Sequence, residues 1–196
     1  MSTPTRRLPL AIAVAMFATN ASANTLEEVV VTAQKRTEDV QDVPISISAY
    51  SEQFIADSGI EDLTELSLYT PNFQILQSTQ VSNQRMVIRG VGSTGQAAIE
   101  SSVAAFIDGV YYPRPGSVIG NLVDAKTVEV LRGPQGTLFG RNSAAGAINV
   151  TTNNPNHDGF EGQVQARAGN YGAYDIGGVV SGPISDGVAY RVSGKF

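Results

Sequence analysis

Three glycines in the segment Ile88–Gly95, which reads IRGVGSTG, have the spacing of a dinucleotide-binding loop. Gly90, Gly92 and Gly95 fit the pattern G-x-G-x-x-G, in which glycine allows the backbone to approach a pyrophosphate closely. An apolar run precedes the segment, a possible helix follows it, and Asp108 lies near the spacing of a ribose-binding acid. If the loop has this role, the chain is a nucleotide-dependent enzyme such as an oxidoreductase.

Few other residues could carry covalent or metal chemistry. The chain has no cysteine, so a disulfide or a thiolate metal site is excluded. The single histidine, His157, lies in the polar run NNPNHDG, where a solvated side chain is expected rather than a ligand. The segment GPQGTLFGRNS lacks the G-K-[ST] of a Walker loop, and the lysines are Lys35, Lys126 and Lys195. These residues give no basis for a metal site, and we assign His157 no role.

The N-terminus has the three parts of a secretory signal peptide. Arg6 and Arg7 precede a short apolar run at Leu8–Ala18, and the small residues of Ala21–Ala23 supply a cleavage site. Since the run is too short to span a bilayer, we predict a signal peptide at residues 1–23. Its removal takes the net charge from −5 to −7, which disfavours nucleic acid as a partner. An exported chain is also a poor candidate for nicotinamide chemistry.

Short strands and few helices are predicted over residues 38–153, the elements that must position any site. DVPISISAYS alternates apolar and polar residues, as a half-buried strand does. Ser51 is a predicted N-cap for a short helix, and Asp62 with Glu65 forms a capping box for a second helix that ends before Pro71. MVIRG, VAAFIDGV, TVEVLRG and GAINVTT are further predicted strands, so this region is expected to be one α+β unit.

The pattern changes after a polar linker at residues 154–159. EGQVQARAGN and VAYRVSGKF alternate apolar residues with polar, partly basic ones, and the turn signals NYG and SDG separate the strands. Such hairpins fit a soluble sheet. They fit equally well the strands of an outer-membrane barrel, with lipid on one side and a polar lumen on the other. At the other end of the chain, TLEEVVVTA is either an ordinary edge strand or a peptide that adds to a partner's sheet.

The order of these segments resembles the N-terminal part of TonB-dependent outer-membrane receptors, over essentially the whole chain. EEVVVTA, at Glu27–Ala33, is similar to the TonB box of that family. DVPISIS, LSLYTPNF, VIRGVG and FIDGVYY resemble successive plug-domain motifs, and Val128–Thr152 resembles the longest and most specific of them. One departure is Thr127, where the family often has arginine.

The resemblance implies an α+β plug domain with a small mixed sheet and short helices, followed by the first antiparallel strands of a truncated transmembrane β-barrel in the bacterial outer membrane. Residues 24–37 would hold the TonB-box segment, residues 38–153 the plug and residues 160–196 the first strands. A plugged barrel has about 22 strands of about 10 residues each. The chain is therefore expected to be a fragment of a receptor or the front of a longer reading frame.

The implied function is energised uptake of a scarce nutrient, most often a ferric siderophore, with TonB as the partner in the periplasm and the plug gating the barrel lumen. Such import needs no covalent chemistry, so the resemblance implies no catalytic residue and no cofactor. The residues that would bind TonB are Glu28, Val29, Val30, Val31, Thr32 and Ala33. We expect this segment to be extended or disordered in the free chain, because it has no apolar face long enough to bury.

The resemblance also assigns an anchoring role to Arg89 and Arg132, each of which follows an apolar strand and precedes a glycine. Arginines at these two motif positions meet glutamates on the inner barrel wall in the family. Two parallel bonds from a guanidinium to a carboxylate offset the cost of burying the charge. Those partners would lie beyond Phe196, so both side chains are expected to be exposed or loosely paired here.

Two predicted loops, Gly92–Ser101 and Val110–Gly120, carry small, polar and aromatic residues suited to contact with cargo. Tyr111 and Tyr112 offer apolar area with a polar tip, and Arg114 could meet an anionic chelate. Two alternatives to a receptor stay open. One is a soluble periplasmic binding or adhesion module, if the chain naturally ends after its last strand, and the weaker one is a secreted nucleotide-dependent enzyme.

Overall fold

A five-stranded mixed sheet lies at the centre of the computed structural model, which describes residues 30–32, 36, 38–80, 83–93, 100–120 and 122–196. The predicted signal peptide lies outside these ranges, as do Glu28, Val29, Ala33 and Gly95. The described strands are β1 (Val30–Val31), β2 (Glu38–Asp39), β3 (Ile47–Ser51), β4 (Phe73–Leu76), β5 (Arg85–Ile88), β6 (Val91–Gly92), β7 (Val103–Ile107), β8 (Val110–Tyr112), β9 (Ala125–Arg132), β10 (Gly146–Thr152), β11 (Glu161–Ala168), β12 (Tyr174–Ser185) and β13 (Val188–Lys195). The helices are α1 (Glu52–Asp57), α2 (Leu63–Tyr69), α3 (Gly116–Ile119) and α4 (Gly136–Phe139).

The central sheet has the strand order β3-β9-β10-β7-β8. β10 runs parallel to β7, whereas the other neighbours are antiparallel. The inner strands β9 and β10 are largely buried, and β3 and β8 form the edges. The predicted small mixed sheet with short helices is therefore confirmed.

The first two helices begin where their caps predict. The Ser51 hydroxyl accepts a hydrogen bond from the Phe54 amide at 3.3 Å, and the Asp62 carboxylate accepts one from the Glu65 amide at 2.8 Å. The Glu65 carboxylate accepts from the amide of Glu61, one residue before the N-cap, at 2.7 Å. Both helices place their apolar residues on one face of the central sheet, where they bury the main core. That core includes Leu63, Leu66, Phe73, Met86, Ile88, Val128, Val130 and Ile148.

The described part of IRGVGSTG, residues 88–93, belongs to a β-hairpin. Arg89 and Gly90 both have positive φ, at 53° and 76°, as the two central residues of a tight hairpin turn require. Val91 then pairs back with Ile88. A dinucleotide loop needs its glycines at a helix N-terminus, so the hairpin removes the geometric basis for the nucleotide reading over the described part of this segment.

The predicted loop Val110–Gly120 is wrong, because it contains β8 and α3. Asp108 and Gly109 have φ of 49° and 78° and form a two-residue turn that pairs Ile107 with Val110. Asp-Gly is a favoured sequence for this turn. The dipeptide is visible in FIDGVYY, so the hairpin could have been predicted from the sequence.

The last three strands form a separate antiparallel sheet in the order β11-β12-β13. Its outer face is apolar and exposed, with Val164 82%, Ile176 53% and Val192 65% accessible. The opposite, polar face lies against α1 and the start of β9. This arrangement confirms the antiparallel strands that were predicted to follow the plug. Among the described residues, no helix is long and apolar enough to cross a membrane.

Candidate functional site

A buried carboxylate holds the N-terminal segment on the second face of the central sheet. Glu129, in the middle of β9, is fully buried. Its Oε1 accepts from the Thr32 amide at 2.5 Å and from the Thr32 hydroxyl at 3.2 Å, and its Oε2 accepts from Asn149 Nδ2 at 3.0 Å. These donors offset the cost of burying the charge. We call Glu129, Asn149 and Thr32 the Glu129 clasp.

The same segment is also held by backbone pairing and burial. Val30 lies opposite Asp39 and Val31 opposite Glu38 in a two-stranded ladder. The described residues are thus extended, but Val31 is only 1% exposed. The sequence predicted that this segment has no apolar face long enough to bury. That was wrong, because Val31 is buried against the second face of the central sheet. The signal was a glutamate between two apolar residues in TVEVLRG, which demands a partner if the strand is buried.

The Arg89 side chain lies close to Gly133, the residue that follows Arg132. The Arg89 Nη1 is 3.3 Å from the point that a Cβ on Gly133 would occupy. Arg89 is exposed, and its backbone amide donates to the Asn72 carbonyl at 2.8 Å. Arg132 is half-buried. Its Nη1 donates to the Pro71 carbonyl at 3.4 Å, and its Nε is buried with no partner among the described residues. Within the described ranges neither guanidinium contacts a carboxylate. We call the two residues the arginine pair.

The three predicted cargo contacts do not share one surface. Tyr111 and Tyr112 are half-buried neighbours on β8 and point to opposite faces. The Tyr111 hydroxyl accepts from Asn142 Nδ2 at 2.7 Å, and its ring lies 5.6 Å from that of Phe106. Tyr112 packs on the main core, whereas Arg114 is exposed beyond the end of the strand. Arg114 is therefore the member of this group that is open to an external ligand.

Two carboxylates on the plug meet basic residues on the last three strands. Asp124, just before β9, accepts from Nε and Nη2 of Arg191 at 2.6 Å each. Glu61, between α1 and α2, lies 2.6 Å from Arg167 Nη1 and 2.7 Å from Lys195 Nζ. We call Glu61 and Asp124 the acidic edge. The sequence predicted the partly basic face of these strands but not its acidic partners.

Lowering the pH should weaken this contact. The hydrogen bond from Lys195, together with Arg167, holds the pKa of Glu61 below its ordinary value, which is about 4.3 in an unfolded chain. Because the folded pKa is the lower one, the stabilisation is complete above the unfolded value and is lost as the pH falls through the folded value.

Urea denaturation of the chain in detergent between pH 3 and pH 7 measures this effect. Two neighbouring acids are present in both the wild type and the Glu61 variant. They are Glu65, whose carboxylate accepts from the Glu61 amide, and Asp175, which lies 3.7 Å from Lys195. We expect the wild type to lose its advantage over Glu61→Gln as the pH falls. A difference between the two proteins that stays constant over the whole range would contradict the assignment.

A family model described as the TonB-dependent receptor plug domain matches residues 39–147. The pesticin receptor of Yersinia pestis is 32% identical over 195 residues, which cover 95% of this chain and 28% of the receptor. The crystal structure of the ferric yersiniabactin uptake receptor FyuA, also from Yersinia pestis, has a TM-score of 0.70 at 30% identity over 77% of this chain and 24% of FyuA. The chain therefore spans less than a third of the relatives that it matches.

The ferripyoverdine receptor of the outer membrane of Pseudomonas aeruginosa, bound to ferripyoverdine, has a TM-score of 0.70 at 22% identity over 85% of this chain and 22% of that receptor. At this identity the likeness shows the fold alone. All three relatives are receptors by name and not enzymes. TonB-dependent receptors lie in the outer membrane, so the location predicted from the sequence is also confirmed.

The family model covers more than half of the 196 residues, and the mixed sheet followed by amphipathic strands is the architecture that its motifs implied. The chain belongs to the TonB-dependent receptor plug domain family.

Proposed function

We propose that this chain is the plug and the first wall strands of a receptor that imports a ferric siderophore across the outer membrane with energy delivered through TonB. One observation carries the proposal. A folded domain is docked on the polar face of three strands, and the opposite face of the same strands is apolar and exposed. A polar face toward a lumen and an apolar face toward lipid is the pattern of an outer-membrane wall. We propose no covalent step.

In this proposal the segment Glu28–Ala33 is the part that TonB captures. Its described residues form a short strand on the surface of the sheet, and a strand can pair with a partner through backbone hydrogen bonds alone. The Glu129 clasp holds Thr32 in the resting receptor. Opening the clasp frees the segment for TonB, so the clasp is the contact that cargo binding would have to weaken.

The arginine pair has the anchoring role in the same proposal. Two guanidiniums without a carboxylate partner among the described residues are suited to glutamates on a further wall strand. Arginine can make two parallel bonds to each carboxylate, which lysine cannot. The unpartnered Nε of Arg132 supports this role, because a buried donor needs an acceptor.

The cargo class is supported by the ferric yersiniabactin uptake receptor FyuA, which is 30% identical to this chain over the matched residues. Growth of a deletion strain on a panel of ferric siderophores, with and without the complete receptor, tests the proposal. By complete receptor we mean this chain with the further wall strands that the proposal requires. If no ferric complex depends on the receptor for growth, iron uptake is not its function.

Within that panel, Arg114→Ala should weaken binding of an anionic ferric complex by about tenfold, because an exposed cation that meets an anion contributes about this much. Tyr112→Phe should have little effect, since the ring packs on the core. Lys126→Ala is the matched control, because this exposed lysine lies at the opposite end of the sheet. Binding constants from fluorescence quenching measure all three. Equal affinities for the Arg114 and Lys126 variants would remove Arg114 from the cargo surface.

A further inference from the structure

We propose that Glu61 and Asp124 are positioning residues that dock the plug on the first three wall strands, independently of the arginine pair and with the opposite polarity. The inference rests on the proposed function, because it takes β11, β12 and β13 as part of a lumen wall. It assigns to the acidic edge a role that the sequence did not suggest.

The contact at Asp124 is nearly enclosed. The side chains of Arg191 and Asp124 are 14% and 8% exposed, and the two nitrogens of the guanidinium face the two oxygens of the carboxylate. Asp124 has a φ of 59°, a conformation that is uncommon outside glycine. Asn153 stabilises it, because its amide donates to the Asp124 carbonyl at 3.1 Å and its Nδ2 donates to the carboxylate at 3.1 Å. The backbone therefore presents the carboxylate to the wall.

The contact at Glu61 joins two strands that do not touch each other. Arg167 belongs to β11 and Lys195 to β13, and β12 lies between them. Both cations converge on the two oxygens of one plug carboxylate. Glu61 is itself fixed at both backbone groups, since its amide donates to Glu65 and its carbonyl accepts from the Leu122 amide at 3.0 Å. A rigid acid thus holds the outer strands of the sheet at one distance from the plug.

Apolar packing contributes little between these two contacts. A cavity of about 160 Å³ separates α1 from the strands, and its lining includes Ile55, Ile60, Gln165 and Gly177. Glycine adds no side chain to fill this gap. Charge pairing is therefore the main attraction across the interface, and breaking an enclosed pair from one side leaves an uncompensated charge.

The arginine pair and the acidic edge carry opposite charges, and this difference selects one orientation of the plug in the lumen. The arginine pair needs carboxylates on the wall, whereas the acidic edge needs cations there. If the plug turned within the lumen, at least one region would meet charges of its own sign, which costs free energy. The acidic edge therefore restricts the plug to one rotational setting.

Labelling of a single introduced cysteine tests this inference, since the natural chain has none. Val179→Cys places the probe at the cavity beneath the plug, where this side chain is half-buried, and Asp186→Cys places a control probe in the exposed turn between β12 and β13. Maleimide labelling is followed in the complete receptor in outer-membrane vesicles, without siderophore or TonB. Glu61→Gln with Asp124→Asn should speed labelling at position 179 by about tenfold or more and leave position 186 unchanged.

Asp57→Asn is the matched control, because this exposed acid on α1 contacts the amide of Gln53 and not a wall strand. Equal labelling rates in this control and in the acidic-edge variant would overturn the inference. If the acidic-edge variant does not reach the membrane, Arg167→Gln with Lys195→Gln approaches the contact from the wall. It should also speed labelling, and adding Glu61→Gln to it should cause no further increase. A full additive increase would contradict the pairing.

The readout separates this inference from the proposed function. Labelling needs neither cargo nor energy, so a receptor that imports no iron but labels as expected refutes the proposed function alone. A receptor that imports iron normally and labels identically in all variants refutes the docking role alone.

Discussion

Replacing Val30 with proline should abolish energised uptake and leave cargo binding intact. Proline removes the backbone N–H and fixes φ, so position 30 can no longer complete a strand ladder with a periplasmic partner. The proposed cargo contact, Arg114, lies after β8 and is not altered. Uptake of a radiolabelled ferric siderophore and its binding at 4 °C, both measured on whole cells, separate the two effects.

Val30→Ala is the control for this substitution, because it shortens the side chain and keeps the backbone donor. We expect the alanine variant to retain most of its uptake. Normal uptake by the proline variant would show that strand pairing at this position is not required.

Replacing Glu129 with leucine should detach β1 from the sheet in the absence of cargo. The change removes the acceptor for the amide and hydroxyl of Thr32 and for Asn149. Hydrogen bonds to a charged group contribute about 1.5–3 kcal/mol each, so the segment should lose about 3 kcal/mol or more of its docking free energy. Hydrogen exchange at the Val31 and Thr32 amides measures the loss, and a TonB pull-down without siderophore measures its consequence.

Asn149→Leu is the graded control, because it removes the bonds from Asn149 Nδ2 to Glu129 and to the Thr32 hydroxyl and keeps the carboxylate with both Thr32 donors. It should weaken protection less than Glu129→Leu does. Unchanged exchange in the Glu129 variant would mean that pairing with β2 and burial of Val31 hold the segment without the clasp.

Local signals predicted much of this fold. The caps at Ser51 and Asp62 act within three residues, so one sequence is enough to locate them. The alternation in the last strands correctly indicated one apolar and one polar face. The turn at Asp108 and Gly109 is an equally local signal. The predicted loop at Val110–Gly120 did not take it into account and therefore placed Tyr111 and Tyr112 outside a strand, whereas both lie on β8.

The contacts of the site were harder to predict from the sequence because they join distant parts of the chain. Thr32 and Glu129 are 97 residues apart, and Asp124 and Arg191 are 67 residues apart. The order of strands in the sheet decides which of these residues meet, and no period or spacing in a single sequence encodes that order. The anchoring role of Arg89 and Arg132 came from the resemblance to the family and stays a prediction.

Because β3 is an edge strand, the plug should yield in a fixed order to a force that pulls on its N-terminus. A force applied at residue 30 reaches first the two residue pairs between β1 and β2 and the Glu129 clasp at Thr32, and then the near end of β3. β3 is bonded to β9 alone, through five successive pairs that run from Ile47 to Ser51, so it can peel away one pair at a time. β9 and β10 each have a neighbouring strand on both sides, so removing either of them would require both of its ladders to shear. The next point along the chain after α1 is Glu61, which is tied to two wall strands. Tension from the N-terminus should therefore extract the chain from β1 to α1 and then stop at Glu61.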